Sequence, residues 1–380
     1  MNLTSPQRIA EADSAQGVIG LSVEKLREQL PPSWSVTFEL EPALSEVGWR
    51  PDAVIILTTP TSGKHTRLLV ECKSDITPRV AADAANQLSA YLSQTPDAVG
   101  VVVAPWGSRR TRDVLRDSGI GFIDPTGNID LVVGEPGLVI RVLGAEENPM
   151  SRRPTSPNLR GPKAWSLMKT LIEVKPPYGV RELAAAVDTD PGYTSRVIRA
   201  LEEERLVFRT RRGPITEVDW RALLSQLTST YTLLDSNTTS TWIARTSIRG
   251  LPTKLAEQKL ETRWAITGSL GANLLAPVAA PATAVIYADD PSGIARTLNL
   301  LPADAGADVI LARPYGAAAM DRSWTAEGAN YVSVAQLTAD CLTGIGRMPA
   351  EGEALVEWMS TDEDRWRASS FDEMVDPIGR

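Results

Sequence analysis

The stretch TRLLVECKSD, residues 66–75, begins with apolar residues and ends in an acid, a thiol, a lysine and a second acid. Such a run predicts a β-strand, in which successive side chains point to opposite faces of a sheet. Glu71 and Lys73 therefore share one face, whereas Val70 and Cys72 share the other. An acid and a lysine in this arrangement indicate either a solvated strand end or half of a metal site that hydrolyses phosphodiesters.

A second apolar strand, PDAVIIL at residues 51–57, precedes the first and is separated from it by the turn-rich segment TTPTSGKH. If the two strands pair as a hairpin, Asp52 and Glu71 meet at one end with Lys73 beside them. Mg²⁺ prefers oxygen ligands and is often held by one or two carboxylates, and a lysine can stabilise transition-state charge. The sequence therefore predicts a Mg²⁺ site at Asp52 and Glu71, which Lys73 and Gln87, on the next predicted helix, can reach.

The single histidine, His65, is predicted to lie in the loop of this hairpin. Metal sites that need two histidines are therefore excluded. Cys72 and Cys341 lie far apart in the sequence and have no metal-ligand spacing. Both are predicted to be reduced, buried thiols of a cytoplasmic protein.

A chain of 380 residues, 43% of them hydrophobic, predicts two or three folded domains. Its start has no signal-peptide pattern, and prolines and glycines interrupt the uncharged run 268–288, which favours a buried helix and strand over a membrane span. The formal net charge of -8 is unevenly distributed. Acids dominate after residue 348 and bases are concentrated in the middle, which predicts a basic working surface in the centre and a solvating acidic tail.

The first domain is predicted to be an α/β domain that spans residues 1–143. Its elements are predicted in the order helix 18–30, strands 34–40, 52–57 and 66–73, helix 79–92, strand 99–103, helix 109–118 and three further strands up to residue 143. Residues 144–162 are rich in Pro, Ser, Arg and Asn and are predicted to form a linker.

Residues 163–222 predict three helices followed by a basic hairpin, which is the order of a winged helix-turn-helix domain. Asp190 and Pro191 have the residue types of a helix N-cap and first position, so the third helix is predicted to begin there. The residues predicted to contact double-stranded DNA lie near the start of this helix and in the hairpin: Tyr193, Thr194, Ser195, Arg196, Arg199, Arg209, Arg211 and Arg212. The alternative is a winged helix that contacts proteins.

Residues 223–380 predict a small C-terminal α/β domain, because helical stretches alternate with the apolar segments AVIYA, DVILA and NYVSV. The predicted fold class is therefore α/β multidomain, with a winged helix-turn-helix between two α/β domains.

Pro51-Asp52, Glu71-Cys72-Lys73 and Gln87, set in the order helix, three strands, helix and strand, resemble the PD-(D/E)xK nuclease superfamily over residues 18–143. The resemblance implies a restriction-endonuclease-like domain in which Asp52 and Glu71 bind the metal, Lys73 assists the water and Gln87 supports the site. The alternatives are a nuclease-like fold retained only for binding and an ordinary strand edge.

Residues 163–360 are similar in general pattern to AbiEi-type antitoxin regulators of type IV toxin–antitoxin systems. The similarity lies in the winged helix, TWIARTSI, RWAITGSLGANLLAP, AVIYADD and VSVAQLTADCLTGIGRMPAEGEALVEWM. It implies sequence-specific DNA binding, often autoregulatory, by a homodimer or a protein with a toxin partner. Gly268-Ser269 also resembles the glycine–serine of nucleotidyltransferases, but the following strand lacks their paired acids, so nucleotidyl transfer is not expected.

Two functional hypotheses follow. The first is a cytoplasmic, Mg²⁺-dependent DNA nuclease with a targeting domain, acting in defence against foreign DNA. The second is a non-catalytic transcriptional regulator or antitoxin. Neither hypothesis involves a membrane.

Overall fold

The computed structural model describes residues 14–42, 50–60, 65–95, 97–135, 137–149, 159–211, 213–258 and 260–379. The fold is mixed α/β, and the chain forms two compact units. One unit contains the residues up to Thr155 together with Glu203–Arg205, and the other contains the rest of the chain. Within the described ranges, no helix combines the length and the apolar character needed to cross a bilayer.

The first unit is built around a seven-stranded sheet in which β1 to β7 lie side by side in sequence order. Strands β3, β4 and β5 are parallel, and the other neighbours are antiparallel. The predicted elements are all present, with ends within three residues of the prediction. They are α1 (Ala15–Glu28), β1 (Ser35–Leu40), β2 (Ala53–Thr58), β3 (His65–Cys72), α2 (Pro78–Leu92), β4 (Ala98–Val103), α3 (Arg109–Asp117), β5 (Gly121–Ile123), β6 (Ile129–Val133) and β7 (Leu138–Val142).

One expectation for this unit is corrected: His65 is the exposed first residue of β3, not a loop residue. The pairing of β2 with β3 continues to the last residue of β2, because Thr58 lies opposite His65. A β-ladder that extends this far incorporates the histidine into the strand.

The sheet is covered by helices on both faces. Val70 and Val103 belong to the core on the α1 side, whereas Val102 belongs to the core shared with α2 and α3. Buried Ala81 and Ala85 let α2 pack close to the sheet. This alternation along β3 and β4 assigns a face to each side chain at their shared end.

The second unit contains a second seven-stranded sheet, in the order β13-β10-β14-β12-β11-β16-β15. Three helices and the β8–β9 hairpin precede this sheet along the chain. The elements are α4 (Pro162–Glu173), α5 (Val180–Ala186), α6 (Pro191–Glu203), β8 (Val207–Arg209), β9 (Ile215–Val218), α7 (Trp220–Thr228), β10 (Thr238–Ile243), α8 (Leu251–Ala256), β11 (Trp264–Thr267), α9 (Ser269–Leu275), β12 (Ala284–Ala288), α10 (Pro291–Thr297), β13 (Leu301–Pro302), β14 (Val309–Arg313), β15 (Trp324–Ala326), β16 (Ala329–Tyr331), α11 (Val334–Leu342) and α12 (Met348–Thr361).

A single hydrophobic core runs through this unit, and it includes side chains from both residues 163–222 and residues 223–368. Helix α4 is buried on every side from Ala164 to Glu173, although its sequence has only one apolar face. Lys169 and Glu173 are buried as an ion pair at 3.1 Å, which makes the burial of these charges tolerable.

The acid-rich C-terminal segment differs from the expected solvating tail. Trp366 and Ala368 are buried in the common core, and the Ala368 amide donates a hydrogen bond to the Glu173 carbonyl at 2.8 Å. Glu351 is buried and accepts a hydrogen bond from Ser269 at 2.6 Å. Apolar residues between the acids anchor the segment, because their burial outweighs the tendency of the acids to remain in water.

A buried polar cluster lies in this core, around the fully buried carboxylate of Asp340. Its Oδ1 accepts hydrogen bonds from Tyr231 at 2.6 Å, Tyr287 at 3.0 Å and Gln336 at 2.9 Å. Its Oδ2 accepts a hydrogen bond from Thr267 at 2.7 Å. Four donors from different parts of the chain thus converge on one side chain, as a buried carboxylate requires.

Candidate functional site

The two predicted metal-binding acids lie together at one end of the first sheet. The Asp52 amide donates to the Val70 carbonyl at 3.0 Å, and Asp52 Oδ2 accepts a hydrogen bond from the Cys72 amide at 2.7 Å. Asp52 is therefore hydrogen-bonded to both chain neighbours of Glu71.

Lys73 is the third group at this position. Its Nζ contacts Glu71 Oε1 at 2.7 Å, and the side chains are 28% and 12% exposed, respectively. The Lys73 amide donates to the Val103 carbonyl at 2.9 Å, which extends the β3–β4 pairing by one residue. Glu71 lies beside Val102 in this pairing, so its side chain faces the α2–α3 side of the sheet.

These side chains have the chemistry that a Mg²⁺ ion requires. Asp52 Oδ1 and Glu71 Oε2 form no hydrogen bond with any other described residue, so each acid keeps one oxygen for a ligand. Mg²⁺ is commonly held by one or two carboxylates while it keeps several waters. In the ranges that the structure describes, no cluster of three or more acid, histidine or cysteine side chains is arranged as a metal site.

Gln87 is not brought together with these three side chains by any hydrogen bond among the described residues. It is exposed on α2, nine residues beyond the first residue of that helix. At a rise of 1.5 Å per residue, this spacing corresponds to about 14 Å along the helix axis. The residues that the structure groups at the sheet end are therefore Asp52, Glu71 and Lys73.

Cys72, between the acid and the lysine, has its thiol on the opposite face, where it is half-buried against the α1 side. Burial, followed by the nearby charges of Asp52 and Glu71, raises the pKa of this thiol to about 12. A protonated thiol is a poor nucleophile. The Cys72 thiol is therefore expected to be a poor nucleophile at neutral pH.

We expect iodoacetamide to label Cys72 of the folded chain at pH 8 at least about a hundredfold more slowly than free cysteine, because the thiolate is the reactive form. Peptide mass spectrometry separates Cys72 from Cys341, whose pKa burial also raises. Denaturant should restore fast labelling of both. Fast labelling of Cys72 in the native chain contradicts this environment.

Two further polar groups at this end of the sheet were not predicted from the sequence. Asp124 follows β5 directly and is fully buried, where it accepts hydrogen bonds from Thr126 and Asn128. Arg112, on α3, is also buried and donates to the Gly107 carbonyl at 3.1 Å. Their positions in the sequence, after β4 and after β5, could have indicated them. The carboxyl ends of parallel strands lie at one edge of a sheet, and the loops there often form binding sites.

The residues predicted to contact DNA lie on α6 and in the β8–β9 hairpin. Ser195, Arg196 and Arg199 are exposed on α6, and Tyr193 is half-buried with the Arg196 guanidinium 6.0 Å from its ring centre. Thr194 differs from the expectation because it is fully buried. Its hydroxyl lies 3.1 Å from the Asp190 carbonyl, to which it donates, so it orders the helix start.

The hairpin arginines have different environments. Arg209 is paired with Glu202 at 3.1 Å, which partly neutralises its charge. Arg211 is exposed at the turn, and Arg212 lies outside the described residues. Ile215 of β9 exchanges backbone hydrogen bonds with Tyr178, so the hairpin is joined to the segment between α4 and α5.

Asp190 and Pro191 begin α6 as predicted. The Tyr193 amide donates to Asp190 Oδ1 at 2.8 Å, which satisfies one of the free amides at the helix start. Helix α6 runs from Pro191 with its two arginines on one exposed side, because Val197 and Leu201 face the core.

Comparisons with known proteins add no family to this description, since no protein-family model matches the chain and no curated protein is significantly similar to it.

Proposed function

We propose that this protein binds double-stranded DNA and hydrolyses its phosphodiester bonds at the end of β3. One observation carries the proposal: Asp52 is hydrogen-bonded to both neighbours of Glu71, and Lys73 contacts that same carboxylate at 2.7 Å. Two acids and a lysine at one strand end are the groups that Mg²⁺-dependent phosphodiester hydrolysis needs. The order helix, three strands, helix and strand around them supports a PD-(D/E)xK-like domain.

Each side chain has a separate role in the proposed reaction. Asp52 and Glu71 would hold a Mg²⁺ ion, which would polarise the phosphate and lower the pKa of a water bound to it. Lys73 presents its ammonium group to the charge that develops on the phosphate oxygens, and its contact with Glu71 holds it in position. The partial burial of Glu71 lowers the local dielectric constant and strengthens these electrostatic interactions.

DNA is bound through α6 and the β8–β9 hairpin, which together with α4 and α5 we interpret as a winged helix-turn-helix. The backbone bridge between Tyr178 and Ile215 supports this interpretation, because it joins the segment before α5 to the hairpin. The exposed Arg196 and Arg199 on α6, with Arg211 at the hairpin turn, supply cations for phosphates and base edges.

Replacing both Arg196 and Arg199 with alanine is expected to weaken duplex binding and to lower the slope of log K against log salt by about two, because each lost phosphate contact removes about one unit. The matched control is Arg249→Ala, which removes an exposed arginine of the same unit outside α6 and the hairpin and should leave the slope unchanged. A fluorescence-anisotropy titration at several salt concentrations measures both variants. An unchanged slope in the double variant removes α6 from the DNA-binding surface.

A transcriptional regulator or antitoxin without catalysis is the second candidate, and one observation favours it. Asp52 Oδ2 and Glu71 Oε1 are already engaged with the Cys72 amide and the Lys73 ammonium group. Each acid therefore has only one uncommitted oxygen. The nuclease-like domain would then serve binding alone.

A cleavage assay on duplex DNA separates the two functions. We expect strand cleavage in Mg²⁺ and none in a chelator, with Mg²⁺ binding detected by calorimetry on the same protein. Duplex binding without cleavage in Mg²⁺ or Mn²⁺ rejects the nuclease and supports the regulator. A chain that neither binds nor cuts DNA contradicts both.

A further inference from the structure

The backbone of the loop between β4 and α3 is fixed by hydrogen bonds to buried side chains. Gly107 donates its amide to the buried Asp124 at 3.3 Å and accepts a hydrogen bond from the buried Arg112 at 3.1 Å. A side chain at this position would meet the Phe122 ring at 2.5 Å, so the backbone packs directly against the core. Both backbone groups of one loop residue are thus fixed by buried charged side chains.

Two more contacts fix the same loop. The Trp106 indole donates to the Ala145 carbonyl at 2.9 Å, and the Ser108 hydroxyl accepts a hydrogen bond from the Thr111 amide at 3.2 Å. Burial lowers the pKa of Arg112 and raises that of Asp124, which means that ionising these groups in the interior is unfavourable. A functional side chain is held in one geometry when packing and hydrogen bonds fix the backbone that carries it.

The residue that directly follows this loop is Arg109, the first residue of α3, whose side chain is 91% exposed. Its nearest acid, Asp113, is 4.0 Å away and also pairs with Arg116 at 2.7 Å. Among the described residues, the Arg109 guanidinium therefore lacks a close ion pair. A planar, permanently charged group on a rigid mount suits phosphate oxygens.

The loop lies at the same end of the sheet as the proposed Mg²⁺ site. The Lys73 amide is hydrogen-bonded to Val103, the last residue of β4. The Gly107 amide is hydrogen-bonded to Asp124, the residue that follows β5. With strands about 4.8 Å apart, the loop begins roughly 5–10 Å from Lys73.

We propose that the β4–α3 loop, residues 104–108, holds Arg109, the first residue of α3, in position to bind a phosphate of the DNA backbone near the scissile bond. Arg112 and Asp124 are positioning residues that fix the loop through Gly107. The inference rests on the proposed function, because it assumes that DNA reaches the end of β3.

The experiment measures duplex binding in a chelator and cleavage in Mg²⁺ for Arg109→Ala, Arg109→Lys and the control Arg141→Ala. Arg141 is an exposed arginine of the same unit on the edge strand β7. For Arg109→Ala we expect the salt slope to fall by about one, with KM raised several-fold and kcat nearly unchanged. Arg109→Lys should recover part of the binding, and Arg141→Ala should match the wild type.

A double-mutant cycle tests the positioning residue. Arg112→Met keeps the length of the side chain but cannot donate to Gly107, so it should raise KM as Arg109→Ala does. The double variant should then bind no more weakly than Arg109→Ala alone, because the two side chains act through one phosphate contact. If the losses of binding free energy in the two single variants add up in the double variant, and all variants have the same thermal stability, the positioning role of Arg112 is contradicted.

The outcomes distinguish this inference from the proposed function. Wild-type cleavage with unchanged binding and KM in Arg109→Ala overturns the loop contact alone. If the wild type does not cut DNA but Arg109→Ala binds duplex DNA more weakly than the wild type, the loop contact is supported and the nuclease is rejected.

Discussion

The Glu71→Gln variant is expected to lose Mg²⁺-dependent DNA cleavage by about 10²- to 10³-fold, the range for removal of one preorganised charge-stabilising group. Glutamine keeps the shape of the side chain and an oxygen for the Lys73 contact at 2.7 Å. It removes the negative charge that holds the metal. The loss should appear in single-turnover cleavage, together with weaker Mg²⁺ binding by calorimetry.

The matched control is Asp75→Asn, which makes the same change of charge at an exposed acid close in sequence. It should cut DNA at the wild-type rate. Lys73→Met provides an independent test, because it removes the cation while both acids remain. It should lose cleavage to a similar extent but still bind Mg²⁺. Equal cleavage by wild type and Glu71→Gln rules out this site as the place of hydrolysis.

Much of the first unit could be predicted because its signals are local. The apolar runs of β2 and β3, the proline before Asp52 and the alanines of α2 each determine an element within a few residues. The proximity of Asp52 to Glu71 followed from one assumption, that neighbouring strands pair as a hairpin. The support for the loop at Gly107 did not follow, because Arg112 and Asp124 are recognised only once β4 and β5 are known to be parallel.

The second unit was harder to predict because its core joins distant segments. Helix α4 has one apolar face in sequence, and nothing local indicates that Lys169 and Glu173 are buried as a pair. Strand β10 has a Ser/Thr-rich sequence that also suits a loop, although threonine is a good strand former. Its pairing with β14 arises from residues about seventy positions away.

Asp340 is the strongest example, and its replacement is expected to have the largest effect on stability. In Asp340→Leu the hydroxyls of Tyr231, Tyr287 and Thr267 and the amide of Gln336 lose their common acceptor. An unsatisfied buried donor destabilises a fold by about 1–3 kcal/mol. Because the two tyrosines can still bond each other, we expect a total loss of about 3–5 kcal/mol.

Tryptophan fluorescence during urea unfolding measures this loss, because most of the tryptophans belong to the second unit: Trp165, Trp220, Trp242, Trp264, Trp324, Trp358 and Trp366. Asp340→Asn is the matched variant. Its amide oxygen can accept hydrogen bonds from the tyrosines and Gln336, while its NH₂ group can donate to the Thr267 hydroxyl. It should therefore be much more stable than Asp340→Leu, and equal destabilisation by both contradicts the role of the hydrogen bonds.

The pH dependence of the unfolding free energy of the wild type and Asp340→Asn is a sharper test of the environment of Asp340. Burial raises the pKa of Asp340 from 3.8 to about 6, against the opposing effect of its four hydrogen bonds. Between pH 4 and pH 6 the folded chain therefore keeps a proton that the unfolded chain has released. The stabilisation from this proton is complete below about pH 4 and is lost as the pH rises through 6.

Because each pKa unit corresponds to 1.36 kcal/mol, the stabilisation that is lost over this pH range is about 3 kcal/mol. Asparagine cannot titrate, so the difference in unfolding free energy between wild type and Asp340→Asn should shift by this amount in favour of the variant from pH 3 to pH 7. A difference that stays constant over this range means that Asp340 is ionised at both ends of it.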